Sequence, residues 1–238
     1  MPGAIVIGAS SGIGAALARR LSAQGYTVGL AARRSELLEH LRAELPNPAF
    51  VKTLDVAQPE QARVALQELA QQMGDVELYV VSAGVGFLNP QLEWTRERQT
   101  LDVNVVGFAA MVNVAVLALE ARGSGHIVGI SSLAALRGGR AAPAYNASKA
   151  FVSNYLEGIR QRCQRRGLAI TVTDIQPGFV DTPMAQGPQL FWMASADKAA
   201  GQIQTAIRHR RRHAYVTRRW RLIAWLLRGL PAALHQRM

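Results

Sequence analysis

The chain has a single cysteine, Cys163, among its 238 residues, which excludes an intrachain disulfide and any metal site built from several cysteines. Cys163 falls in a helical pattern and reads as a packed thiol, and no metal ligands are assigned. No apolar stretch approaches the ~20 residues of a membrane-spanning helix, so none is expected. The amino terminus runs from Met1 and Pro2 almost directly into the apolar Ala4-Ile5-Val6-Ile7. No basic segment precedes a long apolar one, so no secretory signal is expected and the chain reads as cytoplasmic. Pro/Gly/Ser linkers and low-complexity tracts are missing. Acidic residues are missing from 208–238, a stretch that holds nine arginines and no lysine. Of the net charge of +11, only +2 is left for residues 1–207. The pattern is a nearly neutral body with a basic tail.

What is present is strand-helix alternation. Short apolar runs at 4–7, 26–31, 49–54, 78–82, 125–131 and 168–175 read as strands, and 214–216 as a last one. They are continuous rather than alternating, as in a sheet covered on both faces. Helical patterns lie between them at 12–24, 35–45, 58–72, 93–121 and 143–166. This order predicts an α/β domain over 1–217 with a doubly wound parallel sheet and right-handed crossovers. An amphipathic helix follows over 218–238. Hydrophobic residues make up 49% of the chain, enough for a sizeable core. The Pro- and Gly-rich 176–194 is expected to form a loop or lid.

The first strand leads into Gly8-Ala9-Ser10-Ser11-Gly12-Ile13-Gly14. Glycines here let the backbone turn tightly and approach a pyrophosphate, and the helix that follows offers free N–H groups and a positive dipole end. The second strand ends Ala31-Ala32-Arg33-Arg34. A site for a 2′-hydroxyl ribose would place Asp or Glu there, whereas two arginines suit a 2′-phosphate. Cations at a helix amino terminus are otherwise mildly unfavourable. The spacing therefore favours NADP(H) over NAD(H).

Tyr145 and Lys149 stand four apart and share a helix face. An ammonium beside a phenol favours the phenolate, so a lowered tyrosine pKa is expected, which would make Tyr145 a proton donor and acceptor. Ser132, thirteen residues upstream, has a hydroxyl able to hold a substrate oxygen.

Taken together, these motifs resemble the short-chain dehydrogenase/reductase family along nearly the whole chain, which implies a Rossmann fold. Gly8, Gly12 and Gly14 fit its glycine motif, and Asp55-Val56 fits the pair that contacts adenine. Ser82-Ala83-Gly84 stands where the family usually has Asn-Ala-Gly. Asn104, in Leu101-Asp102-Val103-Asn104, fits the asparagine that supports a proton-relay water. Ser132, Tyr145 and Lys149 fit the catalytic serine, tyrosine and lysine, and Lys149 is implied to bond the nicotinamide ribose. Pro177-Gly178-Phe179-Val180-Asp181-Thr182 fits the loop at the nicotinamide end. Serine at 82 reaches less far than asparagine, which bears on local rigidity. Ala135 replaces a frequent glycine and bears on the pocket wall. Ser131 is expected to face away from Ser132. The resemblance implies NADP(H)-dependent hydride transfer on a carbonyl/alcohol pair. It also implies a homodimer or homotetramer through the helices at 93–121 and 143–166. A catalytically idle nucleotide-sensing or scaffold protein on the same fold is the alternative.

Phe87, Leu88, Leu136, Phe179, Met184, Leu190, Phe191 and Trp192 are candidate lining residues for an apolar substrate. In the tail, Trp220, Leu222, Ile223, Leu226, Leu227 and Leu230 share one wide helical face. Arg221 and Arg228 form a narrow opposite stripe, with Trp225 at the flank. Such a helix suits its own domain or a partner subunit, or an anionic membrane surface with peripheral localisation. Nucleic acid is disfavoured, because the apolar face has no role there.

Overall fold

The computed structural model describes residues 1–184 and 191–229. The first half runs β1 (Gly3–Ile7), α1 (Gly12–Ala23), β2 (Thr27–Ala32), α2 (Ser35–Glu44), β3 (Ala49–Thr53), α3 (Pro59–Met73) and β4 (Val76–Val81). The second half opens with α4 (Trp94–Leu101), a π-helical segment (Asp102–Gly107), α5 (Phe108–Arg122) and β5 (Ser124–Ile130). A 3₁₀ turn (Leu133–Leu136), α6 (Pro143–Arg165), β6 (Ala169–Pro177) and the short pair β7 (Val180–Asp181) and β8 (Ala194–Ser195) follow. The described chain closes with α7 (Ala196–Arg208), β9 (His213–Val216) and α8 (Trp220–Gly229).

Seven strands form one sheet in the order β3-β2-β1-β4-β5-β6-β9, and every pairing is parallel. Alternate residues feed two apolar layers. Ala4 and Val6 of β1 join Leu17 and Leu21 of α1 and Ile203 of α7. Ile5 and Ile7 point the other way, to Leu66 of α3, Met111 and Leu119 of α5 and Leu156 of α6. The strands are therefore buried on both faces, as their continuous apolar runs require. Beside β1 the strand order reverses, since β2 lies on one side and β4 on the other. Helical coverage opens there into a crevice at the carboxyl ends of the strands.

Local chemistry sets the element ends. Proline occupies the first turn of α3 and of α6, where its missing N–H has no helical partner to lose. Ser195 caps α7 by accepting a hydrogen bond from the Lys198 N–H at 3.2 Å. The sequence reading left out α7, although Ala199, Ala200, Ile203, Ala206 and Ile207 bury one face of it. Most of those positions are alanines, and the preceding Pro/Gly-rich stretch drew 194 and its neighbours into a loop reading. Part of that predicted loop, with Leu190, and Leu230 and the rest of the tail lie outside the described residues.

Trp94–Arg122 runs as one 29-residue helical rod that is long and apolar enough, by length and composition, to cross a membrane. The sequence reading had found no stretch of that kind. More than half of its most apolar window is buried inside the protein, where α5 packs against α3, β4 and β5, so it serves as a core helix.

One buried titratable group makes the fold sensitive to acid. His126 on β5 lies 2.7 Å (Nε2 to Oγ1) from Thr173 of β6, whose hydroxyl donates to the Arg211 carbonyl. With that proton committed, Thr173 accepts from His126, so Nε2 carries the hydrogen. Burial, with the nearby Arg210 charge, pushes the imidazole pKa down to about 4. The unfolded chain takes up that proton near pH 6.5 and the folded chain only near 4. The stability from neutral His126 is thus complete above the upper value and lost as pH falls through the lower one. Urea unfolding at pH 7 and pH 4 is expected to show a loss on the order of 3 kcal/mol from this residue alone, by the usual conversion of a pKa difference. His126→Asn is expected to remove that component of the difference between the two pH values.

Candidate active site

The crevice beside β1 holds a cleft of about 840 Å³. Its first wall is the turn from β1 into α1. Gly8 has φ of +92°, and a Cβ there would sit 2.5 Å from the Ala83 backbone nitrogen. At Gly14 a Cβ would sit 2.2 Å from the Gly8 carbonyl oxygen. Only glycine permits these approaches. Ser11, at the amino end of α1, makes no side-chain cap, and the first turn of α1 has no acidic residue. Its free N–H groups and positive dipole end fit an anion.

Arg34 reaches back across this turn. It donates to Ser10 Oγ at 2.9 Å and to Ser11 Oγ at 2.6 Å. Arg33 stands beside it, 3.9 Å from the Asp55 carboxylate. Asp55 also accepts the Ala57 N–H at 3.0 Å, which shapes the turn after β3. Two guanidinium groups over a phosphate-sized turn fit a phosphorylated ribose.

The floor of the cleft carries Ser132, Tyr145 and Lys149. Ser132, extended between β5 and the 3₁₀ turn, accepts the Ala134 N–H at its hydroxyl at 3.1 Å and bonds the Tyr145 phenol. Ser131 faces away, as expected. Its hydroxyl donates to the buried Asp174 carboxylate, with the Ile175 carbonyl 3.0 Å away. Lys149 is buried and donates to the Ile130 carbonyl at 3.0 Å, with its nitrogen 5.8 Å from the centre of the Tyr145 ring.

The electrostatics correct one expectation. Lys149 was expected to lower the Tyr145 pKa. Instead, burial pushes the phenol up, and the Ser132 hydrogen bond is what opposes the rise. The ammonium faces a carbonyl rather than the phenol oxygen. Burial also pushes Lys149 down to about 8, with the Asp174 charge opposing that fall.

Asn104 is buried in the π-helical segment and does not line the cleft. Its Oδ1 accepts the Val85 N–H at 2.9 Å. Its Nδ2 donates to the Val85 carbonyl at 2.8 Å and to Ser148 Oγ at 3.0 Å. Ser148 in turn donates to the Tyr145 carbonyl at 2.8 Å. The side-chain amide is thus spent on bracing. This brace also answers the shortness of Ser82. The Ser82 N–H bonds the Ile7 carbonyl at 2.8 Å, and Asn104 holds the loop three residues on.

The remaining predicted residues, Ile13, Gly12, Val56, Ala83, Gly84, Pro177, Gly178, Val180 and Thr182, line the cleft. Gly14 packs behind it. Of the candidate substrate-lining residues, Phe87, Leu88, Phe179 and Met184 line it. Leu136 packs instead into a small cluster with Leu133 and Trp220, since the 3₁₀ turn rotates it out of the wall. Ala135 is also off the wall, and its neighbour Ala134 is on it. Phe191 and Trp192 stack around Trp220 at the rim, with ring centroids 5.1 Å and 5.7 Å away, respectively.

The sequence reading missed that the tail itself closes the cleft. Trp220, Ile223 and Leu227 of α8 line it. Gly178 lies directly under the indole, where a Cβ would be 2.1 Å from a Trp220 ring atom. Arg137 holds the far end of α8 by donating to the Leu227 carbonyl at 2.9 Å. The signal was the 220, 223, 227 spacing, which places these three side chains on one side of a helix.

Comparison with known proteins agrees with this geometry. A family model described as short chain dehydrogenase matches residues 3–189. An uncharacterized oxidoreductase of Myxococcus xanthus is 38% identical over 186 residues, covering 76% of this chain and 73% of its own. One from Mycobacterium tuberculosis is 33% identical over 206 residues, covering 83% and 80%. A short-chain dehydrogenase from Sphingobium yanoikuyae, solved with NADPH, superposes with a TM-score of 0.83 at 20% identity, covering 98% of both chains. An alcohol dehydrogenase from Thermococcus sibiricus, solved with 5-hydroxy-NADP, gives 0.79 at 23% identity, over 90% of this chain and 95% of that one. At such identities the two solved structures attest the fold. The family match and the sequence relatives carry the assignment: this chain belongs to the short-chain dehydrogenase/reductase family of oxidoreductases.

Proposed function

We propose that this protein is an NADP(H)-dependent carbonyl reductase or alcohol dehydrogenase acting on an apolar substrate. The observation that carries the reading is the convergence of the Ser132 hydroxyl, the Tyr145 phenol and the Lys149 ammonium at the floor of a cleft whose far wall is the glycine-rich turn under Arg34. When bound, the nicotinamide supplies the hydride in reduction and accepts it in oxidation.

The chain's own groups supply the rest. The free N–H groups of α1 would hold the pyrophosphate, and Arg33 and Arg34 the 2′-phosphate. Ser132 would donate to the carbonyl oxygen and stabilise the charge that develops on it. Tyr145 keeps its proton at neutral pH, because burial raises its pKa, and would deliver that proton to the same oxygen. Lys149 would bond the nicotinamide ribose through its ammonium. Asn104 would act through others, holding Val85 and Ser148, with a relay water linking Lys149 to solvent. Phe87, Leu88, Phe179 and Met184 give the wall above Tyr145 an apolar character that suits a hydrophobic carbonyl compound.

NADPH oxidation measured over a panel of ketones and aldehydes tests the reading, and NADPH binding without turnover on any of them would overturn it. Tyr145→Phe keeps the ring and removes the proton, and kcat/KM is expected to fall by ~10²–10⁴. Replacing both Arg33 and Arg34 by alanine is expected to weaken NADPH by roughly ten- to a hundredfold, as the loss of charged hydrogen bonds predicts, and to leave NADH nearly unchanged. The kcat/KM for reduction is expected to decline as pH rises through about 8, where Lys149 loses its charge. Asp174→Asn removes the carboxylate that favours that charge and is expected to move the decline to lower pH.

A further inference from the structure

The helix that closes the cleft is apolar on two opposite sides. Trp220 and Ala224 are buried, and Ile223 and Leu227 are half-buried against the body and the cleft. The sequence reading placed Leu222 and Leu226 on that same face. In the structure they stand exposed at 61% and 59%. Steps of about 100° put them, with Trp225, across the helix from Trp220. Trp225 is exposed at 59%. The body covers one side of α8, and the second apolar side is left facing outward.

A neighbouring segment adds exposed apolar side chains, Phe191, Trp192 and Met193, of which Phe191 and Trp192 meet Trp220 in tilted and edge-on ring contacts. Arginines border the apolar surface. Arg219 lies over the Trp192 ring at 5.2 Å and donates to the Trp192 carbonyl at 2.5 Å. Arg221 lies over the Trp225 ring at 5.1 Å. Arg218 and Arg228 are exposed alongside. No acidic residue occurs anywhere in 208–238, where nine of the eleven net positive charges reside.

We propose that the outer face of α8, with the segment 191–193 beside it, docks on an anionic lipid bilayer. Indole and leucine side chains suit the boundary between headgroups and acyl chains, and flanking arginines suit anionic headgroups. A second copy of this chain fits poorly, because a self-contact would bring two unbalanced arginine clusters together. Nucleic acid would find the charge but no use for the exposed leucines. Because Trp220, Ile223 and Leu227 line the cleft from the other side of the same helix, docking would keep the cleft within one helix width, roughly 10 Å, of a bilayer that dissolves hydrophobic carbonyl compounds. That last consequence rests on the carbonyl-reductase reading, whereas the docking does not.

The test is flotation of the full chain with vesicles of phosphatidylcholine alone or of phosphatidylcholine with phosphatidylglycerol. The protein is expected to float only with the anionic vesicles, and less as salt rises. Replacing Leu222, Trp225 and Leu226 by serine is expected to abolish flotation while turnover of a water-soluble ketone is kept, since none of the three lines the cleft. Replacing Arg218 and Arg221 by glutamine is expected to weaken binding on the order of tenfold or more, from the usual contribution of each arginine near an anionic surface. A full chain that ignores anionic vesicles overturns the proposal. So does a triple-serine variant that floats like the parent, or one that dissociates an oligomer while the parent shows no lipid binding. Flotation needs no catalysis, so its failure is distinguishable from failure of the enzymatic reading.

Discussion

The side-chain amide of Asn104 ties together three parts of the chain that the sheet alone would leave independent. One is the π-helical segment that carries it, the second is the loop leaving β4, and the third is the second turn of α6. Its three hydrogen bonds fix Val85 from both sides and hold Ser148, which is itself anchored on the Tyr145 carbonyl. A buried amide left with any of these partners missing would be costly, so the three elements hold one another in place. Asn104 is buried within the π-helical segment, an element common at functional sites. Through Ser148 the brace reaches the backbone of Tyr145, while Lys149 is held separately by the Ile130 carbonyl.

Burial then sets the proton inventory of the floor. It raises the Tyr145 pKa and lowers that of Lys149 to about 8, so near neutrality both groups hold their protons. Ser132 and Asp174 moderate the two effects from opposite sides, the first by its bond to the phenol and the second by its negative charge. Asp174 is oriented by Ser131 and by Gln176, which donates to it at 3.0 Å. The adjacent serines thus divide the work. One faces the cleft, and the other faces the carboxylate behind it.

The two-sided apolar character of α8 shows how far a pattern reading extends. A wide apolar face was legible at helical spacing. Its division into an inner and an outer half was not, because that depends on how much of the helix circumference the body can cover. The same holds at the cleft rim. Phe191 and Trp192 read as pocket residues from composition, and the stacking around Trp220 places them on the outer rim instead. The failure to see α7 had a different cause. Its buried face is mostly alanine, which gives a weak apolar signal in sequence although it packs closely against α1 and the sheet.

By itself, the sequence determined the strand order along the chain, the glycine-rich turn, the paired arginines after β2 and the Ser132, Tyr145 and Lys149 set. Each of these is a matter of residue type at short spacing, where steric and hydrogen-bonding demands are local. Only the tertiary structure decided that Lys149 faces the Ile130 carbonyl, that Asn104 braces rather than exposes its amide, and that Trp220 closes the cleft over Gly178. Those outcomes depend on burial and on contacts between residues far apart in the chain, and desolvation and packing act on groups only once the fold has brought them together.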